Sequence, residues 1–156
     1  MWIPSVDRSW LACAAGLVAS VLLVAAVPAA SAEAPTPKSA DLSGKSRVGN
    51  ASFYARKLAG RKMADGTPLN LDHDVAASKT LPLGTKARVT NLSNGKSAVV
   101  TIRDRGPYAK GRIVDLSPAA ADKVGITRKK GAARVEVTPI EVPQPDGSVK
   151  AGDAAR

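Results

Sequence analysis

The stretch ARVTNLSNGKSAVVTIR, residues 87–103, contains two short runs in which apolar residues partly alternate with polar ones. Such alternation is typical of β-strands that bury one face. Asn94 and Gly95 lie between the two runs, and both residue types tolerate positive φ angles, which favours a tight turn. The stretch therefore predicts a β-hairpin. Further strands are predicted at residues 48–54, 112–116 and 134–138.

A single helix is predicted directly after the strand at residues 112–116. Ser117 is a favourable N-cap, Pro118 suits the first helical position, and Gly125 suits the position that follows the last turn. Several short strands with one short helix, and frequent glycine and proline between them, predict a small, mainly-β barrel.

The first 32 residues have the features of a secretory signal peptide. Arg8 precedes an apolar run at residues 11–27, and Ala30-Ser31-Ala32 fits the cleavage pattern, so the mature chain is expected to begin near Glu33. A membrane anchor is the alternative, but the run is shorter than the ~20 apolar residues that a span requires. Cys13 lies near the start of the run, whereas a lipid-modified cysteine should follow it. We therefore expect an exported protein, periplasmic or associated with the cell wall, without a lipid or a transmembrane anchor in its mature form.

The remaining chain divides into three parts by composition. Residues 33–47 and 141–156 contain few large apolar side chains. We therefore predict that residues 33–47 form a disordered linker and residues 141–156 a disordered tail. Residues 48–140 between them are predicted to be one compact domain, which we expect to be monomeric.

The chain of 156 residues has 23 basic and 13 acidic side chains, and therefore a net charge of +10. A basic protein can bind nucleic acid, but this one is expected to be exported and has few aromatic residues on which bases could stack. Its basic residues are also spread along the whole domain. We therefore expect an anionic wall or membrane surface as the partner, and no nucleic acid.

Cysteine and histidine usage excludes several kinds of site. The only cysteine, Cys13, lies in the predicted signal peptide, which leaves no disulfide, thiolate nucleophile or cysteine-ligated metal in the mature chain. The only histidine, His73, lies between Asp72 and Asp74, but these three residues do not define a metal site without further ligands. We expect His73 to be an exposed loop residue, and we expect neither a metal nor a cofactor.

Six short motifs occur in order along residues 48–140, and together they carry a family resemblance. They are Ser-Phe-Tyr (52–54), Ala-Asp-Gly-Thr (64–67), Leu-Pro-Leu-Gly-Thr (81–85), Val-Thr-Asn-Leu (89–92), Asp-Arg-Gly-Pro-Tyr (104–108) and Gly-Arg-Ile-Val-Asp-Leu-Ser (111–117). In these motifs the chain resembles the rare lipoprotein A (RlpA) family of septal peptidoglycan lytic transglycosylases.

The resemblance implies both a fold and an activity. The fold is a six-stranded double-psi β-barrel, which expansins share. The activity is endolytic cleavage of peptidoglycan glycan strands, preferably those without stem peptides, to 1,6-anhydro-muramyl ends during wall remodelling and septal cell separation. The alternative is a non-catalytic glycan-binding or expansin-like wall-loosening module.

Asp104 is the candidate catalytic residue. It follows a predicted strand directly before a Gly-Pro turn, where a carboxyl group can face a groove and donate the proton that glycosidic cleavage requires. The alternative is a structural carboxylate that caps the turn and pairs with a neighbouring arginine. The match to the family's Asp-Arg-Gly-Pro motif favours the catalytic role.

Six other residues are candidates for substrate contact, and two of them depart from the family pattern. Many members have glutamate where this chain has Thr67, and histidine where it has Ser78, which favours the non-catalytic alternative because neither replacement can shuttle protons near neutral pH. Asp65 is expected to be a turn residue, and Asp115 to hydrogen-bond internally. The six candidates are Tyr54, Thr67, Ser78, Arg105, Tyr108 and Arg112.

Overall fold

The computed structural model describes residues 40–156, so the predicted signal peptide and the first part of the predicted linker lie outside the described residues. The strands are β1 (Arg47–Phe53), β2 (Val75–Ser78), β3 (Lys86–Asn91), β4 (Ser97–Asp104), β5 (Arg112–Leu116), β6 (Ala133–Pro143) and β7 (Val149–Ala151). The helix is α1 (Pro118–Lys123), and 3-10 turns occupy Arg56–Leu58 and Asp153–Ala155. Within these residues, no helix is both long enough and apolar enough to span a membrane.

Six of these strands close into a barrel. Their order is β1-β5-β2-β4-β3-β6, and β6 pairs with β1 to complete the ring. β1 runs parallel to β5 and β2 runs parallel to β4, whereas the other neighbours are antiparallel. This arrangement confirms the six-stranded double-psi β-barrel that the family resemblance implied. β7 lies outside the ring and pairs with β6.

The predicted hairpin is confirmed as β3 and β4, whose antiparallel register pairs Val89 with Ala98. Gly95 has a φ of 71°, the left-handed conformation that glycine adopts without steric cost. Alternate residues of both strands point into a core of mostly small and branched aliphatic side chains. Asn91, which is 1% exposed, donates from Nδ2 to the carbonyl oxygen of Val124 at 2.8 Å. This bond ties the hairpin to the end of α1.

The predicted helix is confirmed as α1. Ser117 Oγ accepts a hydrogen bond from the amide nitrogen of Ala120 at 3.2 Å, and Pro118 occupies the first helical position. Ala120 and Ala121 are buried against the barrel core. A helix of this length is marginal in isolation, so packing against the barrel stabilises it.

β2 lies between β5 and β4 in the barrel wall, although its sequence did not predict a strand. All four of its residues are buried, so the polar–apolar alternation that indicates a half-buried strand is absent. Its sequence, VAAS, is also rich in alanine, the strongest helix former. Pairing with strands on both sides, and not local propensity, decides its conformation.

Residues 141–156 are folded, and the prediction of a disordered tail is wrong. β6 continues to Pro143, and β7 returns antiparallel to it. The amide nitrogen of Gly152 donates to the carbonyl oxygen of Ile140 at 2.9 Å. A Cβ added to Gly152 would lie 2.3 Å from the carbonyl oxygen of Pro139, so the hairpin packs closely on β6. Backbone hydrogen bonds hold this segment, which is why its composition did not reveal its structure.

Residues 40–47 are also held in place, so the prediction of a disordered linker is wrong for this part. Asp41 forms an ion pair with Arg47 at 2.6 Å between Oδ2 and Nη2. The amide nitrogen of Ser46 donates to Asp153 Oδ2, and the amide nitrogen of Asp153 donates to the carbonyl oxygen of Gly44, both at 2.9 Å. The segment that leads into β1 and the segment that follows β7 therefore stabilise each other.

A second, smaller apolar cluster lies on the outside of the barrel. Val75 belongs to this cluster, while the next residue, Ala76, belongs to the barrel core, so the two point to opposite faces of β2. The loop between β1 and β2 folds over this outer face. The cluster consists of buried Met63, Leu69 and Val75 with Tyr54, Leu58 and Leu71 packed against them.

Candidate active site

One row of paired residues crosses four strands of the barrel wall. Asp104 on β4 pairs with Ala77 on β2, Ala77 pairs with Asp115 on β5, and Asp115 pairs with Ser52 on β1. The adjacent row, which includes Ala76 and Leu116, points into the core. Residues next to each other along a strand face opposite sides, so Ala77, Asp115 and Ser52 lie on the outer face. The β2–β4 register shifts by one residue after Ala76, which brings Asp104 opposite Ala77. The bonds of Asp104 to Tyr54 and to the Ala64 amide place its carboxylate under the loop between β1 and β2.

Three donors converge on the carboxylate of Asp104. The amide nitrogens of Ala64 and Arg105 donate to Oδ1 at 3.0 and 2.8 Å, and the Tyr54 hydroxyl donates to Oδ2 at 3.0 Å. Asp104 is half-buried and lies within reach of solvent at the end of β4. Because both backbone amides bind Oδ1, Oδ2 is the oxygen that remains able to exchange a proton with a substrate.

Tyr54 binds Asp104 from the other end of the row, because it directly follows β1. Its ring packs on the outer apolar cluster, and its hydroxyl bonds to the carboxylate. Burial raises the pKa of Tyr54 far above its ordinary value, and the negative charges of Asp104 and Asp115 raise it further, while Arg61 opposes them. Tyr54 was predicted to contact substrate, and in the structure its hydroxyl donates a hydrogen bond to Asp104.

The loop that presents the Ala64 amide to Asp104 is stabilised by Asp65, which is a turn residue as predicted. Asp65 Oδ1 accepts hydrogen bonds from the hydroxyl and amide of Thr67 at 2.6 and 2.9 Å, and Oδ2 pairs with Arg103 at 3.4 Å. Partial desolvation raises the pKa of Asp65, but the bonds from Thr67 and the charge of Arg103 outweigh it and hold the pKa below its ordinary value. Thr67 is half-buried, and its hydroxyl is occupied by this turn.

Ser78 and Arg105 support the turn that follows β2. Ser78 is 3% exposed, and its Oγ accepts a hydrogen bond from the amide nitrogen of Leu81 at 3.2 Å. Arg105 Nη1 donates to the carbonyl oxygens of Leu81 at 2.6 Å and Ser78 at 3.3 Å. The Ser78 hydroxyl is therefore buried and occupied by this turn, and its contact with a sugar stays a prediction. The Arg105 guanidinium is likewise occupied by its hydrogen bonds to these carbonyl oxygens.

Asp115 forms internal hydrogen bonds, as predicted. Its Oδ1 accepts from Ser52 Oγ at 2.7 Å, and its Oδ2 pairs with Arg112 Nη2 at 3.0 Å. The side chain of Arg112, a predicted substrate contact, is about one-third exposed (35%), so part of it faces solvent while its charge is paired. Asp115 therefore provides a fixed negative charge near Tyr54 and is satisfied by its own partners.

Tyr108 is the candidate that lies most openly on the surface. Its side chain follows the Gly106–Pro107 peptide, which is cis, and Tyr108 is 82% exposed. Lys79 Nζ lies 6.0 Å from the centroid of its ring. Tyr108 therefore presents a free aromatic face beside the carboxylate row, which is the arrangement expected of a sugar-binding residue.

His73 lies on the loop between β1 and β2, where it lines a surface pocket together with Thr67 and Arg103. It is exposed, as predicted, and its Nε2 lies 3.3 Å from Asn70 Nδ2. The neighbouring Asp74 forms an ion pair with Lys123 at 2.5 Å. Across residues 40–156, no three histidine, cysteine, aspartate or glutamate side chains lie together as possible metal ligands.

Three participants in this site were not identified from the sequence. Ser52 could have been found from the sequence because it alternates with the apolar residues Ala51 and Phe53 of β1, but its pairing with Asp115 depends on strand register. The Ala64 donor is a backbone amide, for which no side-chain signal exists. Lys79 gave no signal of its own, because a lysine at the end of a strand is ordinarily solvated.

Comparison with known proteins agrees with this geometry. A family model described as "Lytic transglycolase" matches residues 46–137, which include β1 to β5, α1 and the whole Asp104 row. The chain belongs to this family. The resemblance to RlpA proteins drawn from the six motifs is therefore confirmed.

Relatives in the family are known from several bacteria. The endolytic peptidoglycan transglycosylase RlpA of Pasteurella multocida is 47% identical over 107 residues, which cover 68% of this chain and 36% of the relative. The protein of the same name from Pseudomonas aeruginosa strain PAO1 is 49% identical over 94 residues, which cover 60% of this chain and 27% of the relative. This chain thus spans about a third of the length of the curated relatives it matches.

Among solved structures, the Streptomyces papain inhibitor (SPI) is 26% identical, with a TM-score of 0.47. The match covers 60% of this chain and 92% of the inhibitor. This similarity is too low to bear on function.

Proposed function

We propose that this protein is an endolytic peptidoglycan lytic transglycosylase that uses Asp104 as its acid and base. The observation that carries the proposal is the carboxylate of Asp104, oriented by three donors at the end of β4 within the family's Asp-Arg-Gly-Pro motif. Its RlpA relatives are named endolytic peptidoglycan transglycosylases, which supports the same reaction here.

The proposed reaction needs one carboxyl group and no water. Asp104 donates a proton from Oδ2 to the glycosidic oxygen of the leaving sugar as the bond to C1 of the muramyl residue breaks. The 6-hydroxyl of the same muramyl residue then attacks C1 to form the 1,6-anhydro ring. The hydroxyl proton passes to the Asp104 carboxylate, which restores the starting form of the enzyme. Tyr54 and the two backbone amides keep the carboxylate oriented throughout.

The substrate proposed is the peptidoglycan glycan strand, preferably without stem peptides, during wall remodelling and septal cell separation. This role requires an exported protein, and the signal-peptide features of residues 1–32 support export to the periplasm or cell wall without lipid. We propose that the mature protein begins near Glu33 and acts as a monomer. Intact-mass measurement of protein recovered from the envelope tests the first point, and light scattering tests the second.

A non-catalytic glycan-binding or wall-loosening module is the second candidate function. The observation that favours it is the replacement of the family's common glutamate and histidine by Thr67 and Ser78. Thr67 is bonded to Asp65, and Ser78 is buried, so neither side chain is available for proton transfer. If the protein is an enzyme, Asp104 has to act without a second titratable side chain at these two positions.

Asp104→Asn separates the two candidates, because it keeps the shape of the side chain and removes its titratable proton. The purified wild type and variant are incubated with sacculi, both intact and stripped of stem peptides, and anhydro-muramyl products are detected by mass spectrometry. An enzyme should lose product release about 10²–10⁴-fold in the variant. A variant that releases products at the wild-type rate would rule out Asp104 as the acid. No products from the folded wild type would favour the binding module.

A further inference from the structure

Tyr108 and Lys79 form an exposed pair that the proposed cleavage step does not use. Tyr108 is 82% exposed, and within residues 40–156 its hydroxyl has no hydrogen-bond partner. The other tyrosine, Tyr54, is half-buried and bonded to Asp104. The flat apolar face of an exposed tyrosine ring suits the face of a pyranose ring.

Lys79 supplies a positive charge beside this ring. Its Nζ lies 6.0 Å from the ring centroid, within the range of cation–π attraction. Lys86 and Lys123 form ion pairs with Glu141 and Asp74, whereas Lys79 has no carboxylate partner in the part of the chain that the structure describes. The nearby guanidinium groups of Arg105 and Arg112 are occupied by backbone carbonyls and by Asp115. Lys79 is therefore a cation beside the Tyr108 ring that remains able to bind a ligand.

The pair lies next to the row that contains Asp104. A Cβ built at Gly106 would lie 3.8 Å from the Tyr108 ring and 3.9 Å from the Cβ of Ala77, so Gly106 lies between the ring and this row. Ala77 is the register partner of Asp104. Consecutive Cα atoms are about 3.8 Å apart, so the Cα atoms of Asp104 and Tyr108 are at most about 15 Å apart. A short glycan strand spans this distance.

We propose that Tyr108 and Lys79 form a subsite for a sugar with a free carboxylate, namely N-acetylmuramic acid whose lactyl group carries no stem peptide. The ring of Tyr108 stacks on the sugar, and the ammonium of Lys79 contacts the lactyl carboxylate. In a strand with stem peptides this carboxyl group is an uncharged amide, which offers Lys79 no ion pair at this position. The subsite rests on the proposed function for its choice of sugar, and it gives the preference for peptide-free strands a physical cause.

The test compares binding to two forms of one ligand. Peptide-free glycan strands are used either with free lactyl carboxylates or after conversion of these groups to neutral methylamides. Calorimetric titrations are carried out in the Asp104→Asn background, so that no strand is consumed. An exposed ion pair contributes up to about fivefold in affinity, so the free-carboxylate strands should bind about threefold to fivefold more tightly. This difference should shrink as salt screens the charge.

Substitutions at Lys79 then test whether this lysine causes the preference for free-carboxylate strands. Adding Lys79→Gln should lower affinity for the free-carboxylate strands to that of the amidated strands, while affinity for the amidated strands stays the same. Lys79→Arg should keep most of the preference because it keeps the charge. Lys150→Gln removes an exposed lysine from β7, outside the site, and should leave both affinities unchanged. Tyr108→Ala should weaken binding of both ligands to the same extent.

The results that would overturn the subsite differ from those that would overturn the enzyme. Equal affinity of the Lys79-containing protein for both ligands, a preference that survives Lys79→Gln, or no measurable binding of either ligand would each overturn the subsite. Product release by the protein with Asp104 intact is measured separately. Absence of product with an intact carboxylate preference would overturn the proposed enzyme and keep the subsite.

Discussion

The hydroxyl of Tyr54 donates a 3.0 Å hydrogen bond to Asp104 Oδ2, although the two residues are 50 positions apart in the chain. Tyr54 follows β1 and Asp104 ends β4. β5 and β2 lie between these strands in the barrel wall. The bond therefore joins the two ends of the row Asp104–Ala77–Asp115–Ser52. It depends on the registers of the pairs β4–β2, β2–β5 and β5–β1. The proposed acid is thus oriented by the barrel itself.

Replacing Tyr54 with phenylalanine should slow catalysis and leave binding almost unchanged. The ring would still pack on the outer apolar cluster, but Oδ2 would lose the donor that orients it. A hydrogen bond to a charged group contributes about 1.5–3 kcal/mol, so kcat for anhydro-muramyl product release should fall about 10- to 100-fold, with KM within about twofold.

Ser148→Ala is the matched control, since it removes a hydroxyl that donates to Asp146 Oδ1 at 2.6 Å in the C-terminal hairpin. Its kcat should equal that of the wild type. A Tyr54→Phe variant with wild-type kcat would show that the phenol does not position Asp104. A loss of activity that only follows a lowered melting temperature would assign Tyr54 a structural role.

The Tyr54 phenol should ionise only at strongly alkaline pH. Burial and the negative charges of Asp104 and Asp115 raise its pKa above the ordinary value of 10.0. The chain has two tyrosines, so the difference between the ultraviolet titrations of the wild type and Tyr54→Phe isolates this group. The difference should show no phenolate step near pH 10 while the protein remains folded. A step at that pH would contradict the buried, carboxylate-bonded phenol.

The same pKa shift predicts how stability depends on pH. The folded-state pKa of Tyr54 lies above its unfolded value, so its contribution is complete below about pH 10 and is lost as pH rises further. The free energy of unfolding should therefore fall more steeply for the wild type than for Tyr54→Phe above pH 10. Urea titrations of both proteins at a series of alkaline pH values measure the difference.

Gly152→Ala should destabilise the protein, because the C-terminal hairpin packs without space against β6. An added Cβ would lie 2.3 Å from the carbonyl oxygen of Pro139, and backbone must move to relieve this contact. Overpacking of this kind costs about 1–3 kcal/mol, which urea unfolding can measure. Lys150→Ala changes an exposed residue of the same hairpin and should cost less than about 0.5 kcal/mol. Equal stability of both variants and the wild type would mean that the hairpin is detached in solution.

Asn91→Ala should also lower stability, by about 1–3 kcal/mol. Its buried side chain donates to the carbonyl oxygen of Val124 and accepts from the amide and hydroxyl of Ser93. Asn94→Ala is the control, because Asn94 is exposed and makes a longer bond, of 3.2 Å, to the same carbonyl oxygen. A smaller loss for Asn91 than for Asn94 in urea unfolding would contradict the role of Asn91 as the tie between the β3–β4 hairpin and α1.

Several parts of the fold were predictable because their signals are local. Residues 87–103 specify the β3–β4 hairpin by alternation around Asn94 and Gly95, and Ser117 with Pro118 specifies the start of α1. The carboxylate of Asp104 could be identified because a motif of adjacent residues carries it. In each case the residues that decide the structure are close together in the chain, so the pattern can be recognised without knowledge of the rest of the molecule.

Other parts were decided by contacts between distant segments. β2 has no alternation because both of its faces are buried. β7 and the segment before β1 are held by backbone hydrogen bonds and by the side chains of Asp41 and Asp153, whose partners composition does not reveal. The linker and tail predictions were wrong at these places for that reason.

By itself, then, the sequence determined the mainly-β barrel class, the central hairpin, the short helix and the identity of the candidate acid. The tertiary structure alone decided which groups bind that acid, namely the Tyr54 hydroxyl and the Ala64 amide. It also decided the burial of Ser78 and the pairing of Lys79 with Tyr108. The physical reason is that alternation and capping act over a few residues of chain. Hydrogen bonds across a closed barrel depend instead on strand register, which the packing of the whole core sets.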